Sequence, residues 1–186
     1  MSNKGFELRV SAEFTEAMMS ALSQLSPKSM KNITNRAVRR AGQTMRKEAV
    51  KGASHEYRVS GVAVRKTITF RNTDTGVMFI SRGQRIGAEK FKYSPGRIGR
   101  RHTPLKLSVR RDTSPKAMPR AFVMKKNGAI FRRVDADRVP IKHIFGPSVP
   151  QMIGDNEAVT EAMKSGARET MNKVLSHEIK RVMMRK

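Results

Sequence analysis

No cysteine occurs among the 186 residues, so neither a disulfide framework nor a thiolate metal site is available. A cysteine-free chain fits synthesis in a reducing compartment. Tryptophan is also absent and aromatic residues make up only 5%. The core is therefore expected to be modest, with part of it filled by the 13 methionines, whose unbranched side chains adapt to irregular gaps. No run approaches the ~18 apolar residues that a membrane span requires. The N-terminal MSNKGFELRV lacks the apolar stretch of a secretory signal. The expectation is a soluble protein made in the cytoplasm, with no membrane contact. Acid is scarce too: 15 Asp and Glu stand against 39 Lys and Arg, a formal net charge of +24. Self-repulsion of that size disfavours an isolated compact monomer and points to a polyanion or an acidic protein as partner.

What is present suits one domain of ordinary size. Phe6, Leu8 and Val10 alternate with polar residues over 5–11, the pattern of a half-buried strand. A short helix is predicted over 12–25. Ser26 and Pro27 then supply an N-cap and a first helical residue for a second helix over 27–52. Met30, Ile33, Ala37, Val38, Ala41, Met45 and Ala49 form its apolar stripe, and the other faces are rich in Arg and Lys. A helical turn or two over 60–68 precedes two strands, 68–71 and 77–81, joined by the turn formers of 72–76. A long helix over 155–185 ends the chain, capped by Asp155 or Asn156, with Val159, Met163, Gly166, Met171, Val174, Leu175, Ile179, Val182 and Met183 on its apolar side.

Residues 120–150 read as the hub. Two short apolar strands, 121–124 and 129–131, flank Lys125-Lys126-Asn127-Gly128, and Asn-Gly predicts a type I′ hairpin turn with positive φ at both residues. A polar turn at Asp135-Ala136-Asp137 leads to an extended run over 139–145, which Gly146-Pro147-Ser148 and Pro150 stop. The fold class is α+β: a small mixed or antiparallel sheet packed with a long helix from the first half and a long C-terminal helix, with projecting basic loops. No repeat or linker divides the chain, so a single domain spans 1–186.

The inventory for catalysis is empty. His55, His102, His143 and His177 are scattered, none at metal-ligand spacing on a helix, and each reads as a surface or loop residue. Asp135 and Asp137 shape a turn, with no third oxygen ligand nearby. Ser148 lies in GPSVP, whose prolines forbid the strand-to-helix elbow of a serine nucleophile. No phosphate-cradling glycine motif occurs. The chain reads as a non-enzyme without cofactor, metal or small-molecule substrate.

The charge has a location. From Arg82 to Arg133, 16 Lys and Arg face only Glu89 and Asp112, a net +14. Gly and Pro punctuate residues 94–104 as a long loop, after which Leu105, Leu107 and Val109 alternate with polar residues as a strand would. A basic loop over about 83–117 is expected to be mobile in the free subunit and ordered on assembly. Arg97, Arg100, Arg101, Lys106, Arg110 and Arg111 are its candidate assembly or polyanion contacts. They could neutralise phosphates non-specifically. Only Phe91, Tyr93 and Phe122 offer stacking surfaces nearby, and no zinc finger or RNA-binding motif is present. A non-specific nucleic-acid-binding protein is the alternative function.

Laid end to end, Ala121-Phe122, Ile130-Phe131-Arg132-Arg133, Arg138-Val139-Pro140-Ile141 and Phe145-Gly146-Pro147-Ser148-Val149-Pro150 are ordered as in the minor tail protein Z family of tailed phages and prophages. The early Ala37-Val38-Arg39-Arg40-Ala41 helix and the long C-terminal helix fit as well. The sequence resembles that family over most of its length. The resemblance implies a structural virion protein that completes the head-proximal end of a long tail for head joining, as a homo-oligomeric ring for which a hexamer is the natural candidate. It further implies contacts with the tail terminator, tail tube, tape measure and head-neck proteins, and leaves room for non-specific DNA contact.

Overall fold

A computed structural model describes residues 5–11, 16–73, 76–94 and 104–184, without the side chains of 17, 22, 182 and 183. In chain order its elements are β1 (Phe6–Ser11), α1 (Glu16–Ser23), α2 (Pro27–Glu56), α3 (Gly61–Lys66), β2 (Ile68–Asn72), β3 (Gly76–Ser81), β4 (Arg85–Gly87), a 3-10 turn (Ala88–Lys90), β5 (Lys92–Ser94), β6 (Leu105–Ser108), β7 (Lys116–Met118), β8 (Ala121–Val123), β9 (Ile130–Arg133), β10 (Ile141–His143), β11 (Phe145–Ser148), α4 (Val149–Gly154) and α5 (Glu157–Met183). The fold is α+β. Its described strands form four small antiparallel sheets, in the orders β1-β3-β2, β10-β9-β8, β11-β4 and β5-β6-β7.

The core is built on α2. Ser26 caps it, its hydroxyl accepting from the Ser29 N–H at 3.3 Å, with Pro27 in the first turn. Ile33, Ala37, Ala41, Met45, Ala49 and Ala53 recur every four residues and are buried, joined by Val38 and Gly42. Met30, at the outer end of the predicted stripe, is exposed instead. α5 repeats the four-residue spacing with Val159, Met163, Ala167, Met171, Leu175 and Ile179, all buried. Such a step overshoots the 3.6-residue turn by ~40°, so the buried stripe spirals around α5. Small residues along α2 let the two helices lie close, and they run antiparallel. Gly52 meets Val159, Thr44 Oγ1 lies 3.0 Å from Thr170 Oγ1, and Arg36 pairs with Glu178 at 3.1 Å. Asn156 caps α5, its Oδ1 accepting from the Val159 N–H at 3.1 Å.

The sheet β1-β3-β2 covers another side of α2. Phe79 of the central strand is fully buried and meets Phe6 and Phe70 edge to face, at 6.2 and 5.8 Å between centroids. Phe70 and Val77 in turn pack over Gly42 of α2.

Residues 120–150 are not the hub. β8 and β9 form the expected hairpin, but only Gly128 takes positive φ (70°); Asn127 does not. The type I′ turn is replaced by a four-residue connection closed by Gly128 N–H to Met124 O (2.8 Å) and Met124 N–H to Ala129 O (2.8 Å). The Asn127 side chain accepts from Ala129 N–H at 3.1 Å, which satisfies the turn without a left-handed asparagine. The extended run over 139–145 also divides. β10 pairs with β9, while β11 pairs with β4 in a different sheet. Gly146-Pro147-Ser148 does not stop the strand but belongs to it, and Ser148 then caps α4 by accepting from Gln151 N–H at 3.4 Å. The physical reason is that glycine and proline forbid a long paired strand yet tolerate a short irregular one, and β11 carries a register break between Phe145 and Ser148.

Candidate functional site

Among the described residues, no three or more His, Asp or Glu gather as metal ligands, and no helix is long and apolar enough to cross a membrane. An open cleft of about 1020 Å³ is lined by the last turns of α2, the start of α5 and residues 110–112. Two of the basic residues singled out by sequence sit here, and both are engaged internally. Arg110 ion-pairs with Glu56 and with Asp112 (3.4 Å), and its guanidinium lies 5.5 Å from the Tyr57 ring centroid. Arg111 donates from Nε to Ser54 O at 3.0 Å and from its backbone N–H to Glu56 O at 2.8 Å. Glu56 also accepts from the Asn156 side chain. One carboxylate thus fastens the end of α2, the chain after β6 and the N-cap of α5. Burial beneath this cluster pushes the Tyr57 phenol above its usual pKa, helped by the nearby Asp155 and Asp112 carboxylates.

Lys106 differs. It projects from β6 between buried Leu105 and Leu107 and is exposed, on the same sheet face as exposed Lys92, since Lys92 pairs Ser108 and Ser94 pairs Lys106. Arg97, Arg100 and Arg101 lie outside the described residues, as does most of the 94–104 loop. The described flanks of 83–117 form β4, the 3-10 turn, β5, β6 and β7.

A second basic groove, about 440 Å³, runs between α2 and α5 and is lined by Arg36, Arg39, Arg40, Gln43, Val174 and Glu178. Glu178 is buried and accepts from both Arg36 (3.1 Å) and Arg181 (2.9 Å). Its partners are half exposed, so solvent screens the pairs.

His143 is neither a loop nor a free surface residue. It occupies β10, half-buried, with its ring 4.9 Å from Phe131 and 4.2 Å from Phe145. Its Nε2 lies 3.2 Å from Glu89 Oε2. Burial alone would push the Glu89 carboxyl up. A backbone hydrogen bond, His143 and Lys90 outweigh it and hold the pKa below the usual glutamate range. A carboxyl with its folded pKa depressed stabilises the fold above its unfolded pKa, and loses that contribution as pH falls through the folded value. Glu89→Gln is therefore expected to lose about 1 kcal/mol near neutral pH. The gap to the unsubstituted chain should close below about pH 4, as read from urea midpoints across a pH series. The sequence distance of Glu89 from His143 hid this pair, and the only clue was the two-residue spacing that puts His143 on one face with Ile141 and Phe145.

With the geometry in place, the comparison with known families is decisive. Residues 14–186 match the family described as Prophage minor tail protein Z (GPZ). The chain belongs to the minor tail protein Z family. Neither curated proteins nor solved structures return a match. Membership makes this a structural component of a phage tail, found in the virion. In the two clefts, Arg36, Arg110 and Arg111 hold α2 to α5 and to the chain after β6.

Proposed function

We propose that this tail protein is a non-catalytic subunit that completes the head-proximal end of the tail and readies it for head joining, working as a homo-oligomeric ring. The observation that carries the reading is the family match across residues 14–186, joined to the order of motifs through which the sequence resembles tail-completion proteins. The charge agrees in kind. A +24 subunit repels itself unless acidic surfaces of its neighbours compensate, and the tail terminator, tail tube, tape measure and head-neck proteins are the partners in reach. Heterologous contacts between identical copies close into rings, which suits a tail with rotational symmetry.

Within this reading the segment 83–117 is the contact arm. Arg110 and Arg111 hold its base against α2, and exposed Lys106, with Arg97, Arg100 and Arg101 outside the described residues, supplies further positive charge. Deleting residues 94–104 should leave a folded monomer, with an unchanged circular-dichroism melt, and abolish joined virions. Normal infectious particles from that deletion would sink the proposal. The exposed Lys92–Lys106 face keeps one rival in view, a free non-specific nucleic-acid binder. That rival requires tight binding to a short duplex by anisotropy, weakening steeply between two salt concentrations; no binding at low salt removes it.

A further inference from the structure

The sheet β10-β9-β8 has two unlike faces. On one, Val123, Ile130 and Ile144 join the core, Ile130 without any exposure. On the other, Phe122, Phe131 and His143 stand in register across the three strands, and Phe145 extends the row. Their ring centroids are 6.4, 4.9 and 4.2 Å apart, the first two pairs inclined by only 28° and 25°. The Arg133 guanidinium lies 5.6 Å from the Phe122 centroid. These rings do not pack against the main core. Phe145 remains 45% exposed. An aromatic cluster of this size on the outside of a small sheet marks an interaction surface rather than a packing residue.

The chemistry of its surroundings selects the occupant. Arg133 lies over Phe122, and Arg120, Lys125, Lys126 and Arg138 are exposed in the flanking turns, against exposed Asp135 and Asp137 and the Glu89 carboxylate that pairs with His143; Arg132 and Lys142 belong to the opposite face. A second copy docking through this same face would bring the same charge to the contact and be repelled. Bases of a nucleic acid need free ring faces on which to stack, whereas here Phe122, Phe131 and His143 are half-buried, with neighbouring rings or Arg133 4.2–6.4 Å from their centroids. The arginines and lysines favour carboxylates, while exposed Phe145 offers apolar contact. We infer that this face docks an acidic protein segment that also carries apolar side chains. The inference goes beyond the head-proximal reading and does not depend on where in the tail the subunit sits.

The test uses the full chain and three fluorescent probes of equal length: a peptide alternating Glu with Leu, a peptide alternating Glu with Ser, and oligothymidine. The Glu/Leu peptide should bind about tenfold more tightly than the Glu/Ser peptide of equal charge. Phe145→Ser should remove that preference while leaving the weak, charge-driven binding of the Glu/Ser peptide in place. Amide shifts at Phe122, Phe131, His143 and Phe145 on adding the Glu/Leu peptide to the unsubstituted chain read the same contact without any variant. Equal affinity for the two peptides, shifts confined to other residues, or shifts at these four produced by oligothymidine alone would each overturn the inference. So would a chain already self-associated through this face, shown by Phe145→Ser converting an oligomer to a monomer.

Discussion

Phe79→Ala should lower the free energy of unfolding by about 3–5 kcal/mol, the range for a buried phenylalanine, and towards its upper end. Three observations place it there. The side chain is fully buried, it sits in the central strand of its sheet, and two further rings interlock with it. Collapse into the cavity would require Phe6 and Phe70 to move together, yet Phe70 is held by Gly42 beneath it and by the Arg46 guanidinium 4.8 Å from its centroid. Cavities that cannot relax cost most. Domains are stable by only about 5–15 kcal/mol in all, so the variant should melt roughly 6–20 °C lower. Phe79→Leu, which keeps most of the volume, should lose less than half as much. Urea titration decides the matter: a lowered midpoint with unchanged slope is the expected pattern. A loss below about 1 kcal/mol would mean that β1-β3-β2 is not integral to the core.

Which features could be read from the sequence follows from how local their causes are. α2 was legible because cap, first-turn proline and apolar stripe all lie within one segment. The strands β2 and β3 were legible for the same reason, with turn formers between them. The antiparallel pairing of β1 with β3 was not, since it joins Phe6 to Ser81 across the whole of α2 and α3 and no local pattern encodes it. The hairpin β8–β9 was visible, but its turn geometry was decided by one side-chain hydrogen bond from Asn127 rather than by dihedral preference. The extended run over 139–145 looked like one strand because its apolar residues are continuous; tertiary pairing divided it between two sheets. Of the basic candidates, exposure of Lys106 followed from simple alternation. The engagement of Arg110 by Glu56, 54 residues earlier, could not be seen in either segment alone.

Gly52 carries the same lesson to a second large effect. The helix was expected over 27–52, ending at this glycine. Instead α2 continues to Glu56, and Tyr57 caps it by donating to Ala53 O at 2.9 Å. Glycine inside a helix costs about 1 kcal/mol relative to alanine, so its presence needs a compensating contact. Val159 provides one: a Cβ on residue 52 would fall 2.3 Å from its Cγ2 and 2.8 Å from its Cγ1. Val159 cannot simply rotate away, because a β-branched side chain in a helix keeps one preferred rotamer and this one is buried. For Gly52→Ala, overpacking of about 1–3 kcal/mol therefore opposes a propensity gain of about 1 kcal/mol, leaving a net loss of up to ~2 kcal/mol. Gly52→Leu adds bulk with little further propensity gain and should lose about 3 kcal/mol or more. Shortening the opposing side chain distinguishes this clash from a requirement for backbone freedom. In the double variant Gly52→Ala with Val159→Ala, the two substitutions should be less harmful together than their sum by about 1–2 kcal/mol. Strict additivity in that cycle, measured by denaturant unfolding, would show that residue 52 and residue 159 do not meet and that α2 and α5 approach each other differently.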